Sequence, residues 1–297
     1  MIKTGGGVAL GRALLNFIKI RLMRILKVKC LDKPGIISKI STVVYENGCN
    51  IIKLDEYVEP EQKYFFFRAE IEGSASGERL VEEIEGVLGS EAEVSLSVPS
   101  KKGVVILATR EQHCLGDILL RSQGPLNIEI RAVIANHPDL ETLTRRFDVP
   151  FHLISHENLG REAHAQRMAE RIDKYAPEYI LLAKYLRILP ASFVERYPNQ
   201  IINIHHSFLP AFIGANPYHQ AFKRGVKIIG ATSHCVTEGL DEGPIIEQDI
   251  LHIDHSYNAL ELSALGKDVE QLVFSKAIKY VTEDRVFVHR NKTVVFK

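Results

Sequence analysis

The chain has 297 residues, 45% of them hydrophobic and 25% charged, the balance of an ordinary globular protein with room for two cores. Lysine plus arginine equals aspartate plus glutamate at 37 each, so no net field draws the chain to nucleic acid or to a membrane surface, and neither partner is expected. Cys30, Cys49, Cys114 and Cys235 are widely spaced and read as free thiols of a reducing, cytoplasmic setting, and no apolar run approaches the ~20 residues of a bilayer span.

Residues 1–22 hold a glycine cluster, Gly5 to Gly7, and then an apolar run broken by Arg12, Lys19 and Arg21. Those charges interrupt the run before it can serve as a signal-peptide core. The segment reads as a disordered or non-native extension before a start at Met23; a basic, acid-free transit segment is the competing reading.

From Arg24 the pattern sharpens. Ile25-Leu26-Lys27-Val28-Lys29-Cys30 alternates as a strand and ends at the turn Asp32-Lys33-Pro34-Gly35. Apolar residues then recur at helical spacing from Ile36 to Tyr45 and stop at Asn47-Gly48, a helix-ending pair. Strands are expected over 50–56 and 64–71, a helix over 77–88 and a strand over 92–98. The order βαββαβ is that of a ferredoxin-like domain, here residues 23–99. Tyr64-Phe65-Phe66-Phe67 reads as a buried strand within it rather than a ligand stack.

The opening strand, Asp32-x-Pro34-Gly35-Ile36-Ile37 and Gly48-x-Asn50-Ile51 together resemble an ACT domain, a small module that binds amino acids. The resemblance implies an amino-acid effector near Asp32, Gly35, Gly48 and Asn50, taken by backbone N–H groups at the helix start. It also implies a homo-oligomer, because such modules pair side by side. The plain alternative is that Pro34-Gly35 merely turns the chain.

Pro99 to Gly103 reads as a short polar linker. Beyond it, over 102–297, near-continuous Val, Ile and Leu runs alternate with amphipathic segments: strands at 104–108, 128–135, 151–154, 179–183 and 201–204, with helices at 140–147 and 161–175. That is a mostly parallel, doubly wound α/β sheet covered on both faces. A helix at 217–223, strands at 228–236 and 245–253, a long helix at 259–280 and a hairpin turning at Asn291 complete it.

In such sheets the site lies beyond the carboxyl ends of the strands, and three places there carry polar residues. Asn203-Ile204-His205 ends a strand, and residues two apart project from one face, so amide and imidazole converge. Leu240-Asp241-Glu242-Gly243 offers a carboxylate in a turn. Lys184 to Leu189 follows a strand with an apolar lip. His206 is expected on the opposite face of its strand as a packed histidine. His252-x-x-His255 lacks a third ligand at a usual spacing and reads as strand-end polarity, so no metal site is expected.

Asn203-x-His205-x-Ser207-x-Leu209-Pro210, Asp241 with Gly243, and Arg187-Ile188-Leu189 closely resemble the formyltransferase domain that uses 10-formyltetrahydrofolate. The resemblance implies catalysis by Asn203, His205 and Asp241, and folate binding by Arg187, Ile188, Leu189, Thr237, Glu238 and Leu240. An ACT-like domain ahead of it, with Cys114-Leu115-Gly116-Asp117, is similar to the formyltetrahydrofolate deformylase family. That implies hydrolysis of 10-formyltetrahydrofolate to formate and tetrahydrofolate, feeding purine synthesis and balancing the one-carbon folate pool. The folate is the substrate and no cofactor is expected. The rival is transfer to an amine such as glycinamide ribonucleotide. Transferases resemble one another in a small glycine- and serine-rich loop that cradles the acceptor phosphate, whereas here the loop is Thr109-Arg110-Glu111-Gln112-His113-Cys114, which leaves water as acceptor. A protonated His205 and Asn203 would hold the oxyanion, and Asp241 would hold His205 charged and take a proton from water. Which of His205 and Asp241 is the base stays open.

Overall fold

The alternating strands and amphipathic helices of the amino-terminal segment form the expected unit in a computed structural model that describes residues 22–210 and 217–297. The expected extension at 1–22 lies outside the described residues except for Leu22, which already belongs to the first strand. Two compact units divide near Pro99 and Ser100.

In the first unit, β1 (Leu22–Leu31), α1 (Ile36–Glu46), β2 (Asn50–Glu59), β3 (Tyr64–Gly73), α2 (Gly77–Leu88) and β4 (Glu93–Ser97) form an antiparallel sheet of order β2-β3-β1-β4. Leu26, Val28, Phe65 and Phe67 pack from the strands against Ile40, Val44, Leu80 and Ile84 of the helices. Alternation makes one face of the sheet apolar, and two helices with matching stripes cover it. Gly35 sits at φ 86°, a left-handed conformation that glycine adopts without steric cost, and turns the chain into α1.

The second unit starts sooner than the composition suggested. Lys102 and Gly103 already pair within β5 (Lys102–Ala108), so the linker is shorter than expected. The chain continues through α3 (His113–Arg121), β6 (Ile128–Ala135), α4 (Glu141–Arg145), β7 (Phe151–Leu153), α5 (Arg161–Asp173), β8 (Tyr179–Ala183), α6 (Ala191–Arg196) and β9 (Ile201–His205). It ends with α7 (Pro217–Arg224), β10 (Ile228–Cys235), β11 (Ile245–His252), α8 (Ala259–Thr282) and the hairpin β12 (Val286–His289) and β13 (Lys292–Val295). The seven-stranded sheet has the order β11-β10-β9-β8-β5-β6-β7. It is parallel from β9 to β7, while β10 runs antiparallel to both its neighbours.

One face packs Val104, Ile106 and Leu181 on Phe274 and Ile278 of α8; the other packs Val105, Leu107 and Ile180 on Met168 and Ile172 of α5. Near-continuous apolar strands are thus explained by burial on both sides. α8 starts at a capping box: Asn258 Oδ1 accepts from the backbone N–H of Leu260 and Glu261, and Glu261 accepts from the Asn258 N–H. No described helix is long and apolar enough to cross a membrane.

Candidate active site

β9 delivers Asn203 and His205 to one face, and the antiparallel register sets His234 of β10 opposite Asn203. Cross-strand partners share a face. The Asn203 amide donates to His234 Nε2 at 3.2 Å, and His234 Nδ1 lies 2.9 Å from the Cys235 carbonyl oxygen. A carbonyl can only accept, so Nδ1 carries the proton and Nε2 is the acceptor that orients Asn203. The second Asn203 N–H is then available to a ligand.

Gly243 brings in the carboxylate. A side chain there would meet the Cys235 carbonyl oxygen, a Cβ lying only 1.8 Å from it, so glycine lets the Asp241 turn close onto the end of β10. Asp241 itself is left-handed at φ 57°. Its Oδ2 lies 3.3 Å from His205 Nδ1 and its Oδ1 3.7 Å from His234 Nε2. Burial alone would raise its pKa, but the hydrogen bond from His205 reverses this and holds the carboxyl well below the usual range. Asp241 is therefore ionised and stands as counter-ion to His205.

The far nitrogen of His205 is what makes this a site. His205 is 6% exposed, and its buried Nε2 has no hydrogen-bond partner among the described residues. A buried donor of that kind is costly unless a ligand takes it. It faces a cavity of about 210 Å³ lined by Asn203, His205, His206, His234 and Asp241. Arg187, Ile188, Leu189, Thr237, Glu238 and Leu240 line the same cavity, so all six expected folate residues meet the three expected catalytic ones. Leu186, Ile188 and Leu240 are apolar and largely exposed at its lip, fit to cover a flat aromatic ligand.

His206 differs from expectation. β9 ends at His205, so strand alternation no longer governs the next residue. The His206 ring stacks on His205 with centroids 4.9 Å apart and lines the cavity. Burial first, and then the nearby Lys184 ammonium and His205, lower its pKa to about 4.

Three participants carried no assigned role in the sequence. His234 orients Asn203; it could be found only by pairing β10 against β9. Lys184, left-handed at φ 59° and 6% exposed, ends β8 and pairs with Glu270 of α8 at 3.1 Å. Glu270 is 1% exposed and also accepts from the Tyr218 hydroxyl at 2.6 Å and from His113 Nε2 at 2.8 Å. Its signal is an acid within the buried stripe of α8, with Leu262, Gly266, Val273 and Phe274. Burial would raise the Glu270 pKa, yet His113, Lys184 and Tyr218 bring it to about 2. Gly266 leaves room for the Tyr218 ring, whose Cζ a Cβ there would meet at 2.1 Å. His113, at the end of the loop read as unfit for an acceptor phosphate, thus points into a filled polar cluster. His113, Cys114 and Glu270 also form the group of potential ligand atoms lying within 4.8 Å of one another. Lys184 already neutralises the Glu270 carboxylate, which leaves that group poorly suited to a cation.

In the amino-terminal unit two of the expected backbone donors, at Asp32 and Gly48, are already engaged. The Asp32 N–H donates to the Lys63 carbonyl at 2.7 Å and the Gly48 N–H to the Tyr45 carbonyl at 2.8 Å. The Gly48 N–H is thus taken within its own turn, and that of Asp32 by the turn between β2 and β3. Asn50 belongs to β2 and pairs with Glu72. Gly35 has open space where a side chain would point, and remains at the head of α1.

A strand-end amide and imidazole, a carboxylate counter-ion and a partly apolar cleft are the parts of an α/β enzyme acting on an acyl carbonyl. Residues 102–278 match the Formyl transferase family and residues 24–89 the ACT domain family. A formyltetrahydrofolate deformylase of Haemophilus influenzae is 51% identical over 273 residues, 92% of this chain and 98% of the relative. The crystal structure of a formyltetrahydrofolate deformylase from Pseudomonas syringae matches with a TM-score of 0.88 at 35% identity, covering 98% of this chain and 100% of that one. A glycinamide ribonucleotide transformylase from Symbiobacterium toebii matches with a TM-score of 0.63 at 29% identity, over 66% of this chain and 95% of its own. The chain belongs to the formyltetrahydrofolate deformylase family.

Proposed function

We propose that this chain hydrolyses 10-formyltetrahydrofolate to formate and tetrahydrofolate, with Asn203 and His205 stabilising the oxyanion and Asp241 holding His205 charged. The observation that carries the assignment of roles is the unpartnered, buried Nε2 of His205, backed by Asp241 at Nδ1 and flanked by the oriented Asn203 amide. Water adds to the formyl carbon, the carbonyl oxygen becomes anionic, and the two donors receive that charge. One such fixed donor lowers the barrier by ~3 kcal/mol. Asp241 Oδ2 is engaged with His205 Nδ1, so counter-ion suits it better than base. Arg187 to Leu189 and Thr237 to Leu240 grip the folate. Turnover in H2¹⁸O tests the reaction: hydrolysis places one ¹⁸O in each formate, and unlabelled formate would refute direct attack by water.

Transfer to an amine is disfavoured by the filled cluster of Glu270, His113, Tyr218 and Lys184 behind the loop. The chemistry needs no metal, since two N–H donors already polarise the carbonyl. Chelation by EDTA should leave the rate unchanged, and restoration of a lost rate by zinc or iron would contradict this. The amino-terminal unit takes a small-molecule effector, with glycine and methionine the candidates by the logic of one-carbon supply, and acts within a homo-oligomer. Titrating both amino acids against the rate, with the mass of the assembly measured alongside, tests this; flat titrations would remove the sensing role.

A further inference from the structure

The oxyanion donors leave one demand of hydrolysis unmet: a proton must leave the attacking water. Asp241 is committed to His205, and the His234 acceptor nitrogen is committed to Asn203. His206 is the remaining imidazole on the cavity. Among the described residues its ring makes stacking contacts, with His205 at 4.9 Å and Tyr218 at 6.4 Å, and no hydrogen bond. Stacking on His205 places it beside the group that grips the formyl oxygen, a distance one water can bridge.

We propose that His206 binds the attacking water through a ring nitrogen, takes its proton as the water adds, and returns that proton to the departing folate nitrogen. This rests on the deformylase reading above. As the O–C bond forms, the carbonyl π pair moves onto the formyl oxygen, where His205 and Asn203 hold it. A proton passes from the water to His206. When the oxyanion collapses, the C–N10 bond breaks, N10 accepts the proton from His206, and formic acid loses its own proton to solvent. One water is consumed, and His206 ends as it began.

The buried surroundings support the assignment. The Lys184 ammonium, pinned by Glu270, faces His206 together with His205, while Asp241 and Glu270 oppose them from β10–β11 and α8. Burial, Lys184 and His205 prevail and keep the ring uncharged at neutral pH. An imidazolium formed in such a place is a strong acid, ready to protonate N10.

The test measures kcat and KM for 10-formyltetrahydrofolate in the full chain carrying His206→Gln and, separately, His206→Ala. Glutamine keeps a hydrogen-bond acceptor but cannot take a proton. The expected result is kcat down by ~100-fold in both, KM within threefold of the parent, and partial recovery of His206→Ala by added imidazole, rising with the fraction of imidazole base. Tetrahydrofolate binding and thermal unfolding show that the variants are folded. A folded His206→Gln chain with kcat within threefold of the parent overturns the proposal. Formate release by the parent in the same assay separates that failure from failure of the deformylase reading.

Discussion

The turns of the first unit and the strand end of the second have opposite polar accounting. At Asp32 to Gly35 and Gly48 to Asn50 of the first unit, the Asp32 and Gly48 N–H groups donate to the carbonyls of Lys63 and Tyr45. At Asn203 to His205 of the second unit, His205 Nε2 is left without a partner inside a cavity. What separates a turn from a site is whether its polar groups are satisfied internally.

The largest effect should come from removing the unsatisfied donors or their counter-ion. His205→Ala, Asn203→Ala and Asp241→Asn should each lower turnover by at least ~100-fold while tetrahydrofolate binding changes little. The losses should not add, since the three act as one unit; additive losses in the double variants would break that picture. Next comes the buried cluster. Lys184→Met leaves the Glu270 carboxylate without its cation, and should cost ~3–5 kcal/mol in denaturant unfolding. A cost below ~1 kcal/mol would mean that water, not Lys184, neutralises the group.

The same cluster gives a pH signature. Glu270 titrates near 4.5 when unfolded and about 2 when folded. Its lowered folded value means the stabilisation is complete above pH 4.5 and is lost as pH falls from there toward 2. Glu270→Gln should flatten this part of the stability curve, and an unchanged acid limb would show that other carboxylates carry it. Activity has a separate limb: His206 must be uncharged, so kcat should fall as pH drops through about 4. The smallest effect belongs to the satisfied loop. Asp32→Ala should alter effector-free turnover by less than ~2-fold, since that side chain serves neither donor nor counter-ion in the catalytic unit.

Much of this was legible in the sequence. Period-two and helical patterns located the strands and most helices, because burial on one or both faces imposes them. Asn203, His205, Asp241 and the six expected folate residues were named from motifs that resemble a known family, and the fold brings them to one cavity. The roles of His234 and Glu270 were not legible, because each depends on a partner distant in the chain: β10 must fold back on β9, and α8 must lie over the sheet. His206 was misplaced because strand periodicity was carried one residue past the end of β9. The backbone donors of the first unit were overcounted for a related reason: Lys63 and Tyr45 supply carbonyls that only the folded turns bring near.

The most direct measurement incubates the purified chain with 10-formyltetrahydrofolate, with and without glycinamide ribonucleotide, and quantifies formate, tetrahydrofolate and formylated amine together. The structure predicts formate and tetrahydrofolate in equal amounts, at a rate the amine does not change. Formyl groups recovered on the amine, with formate falling in proportion, would contradict it.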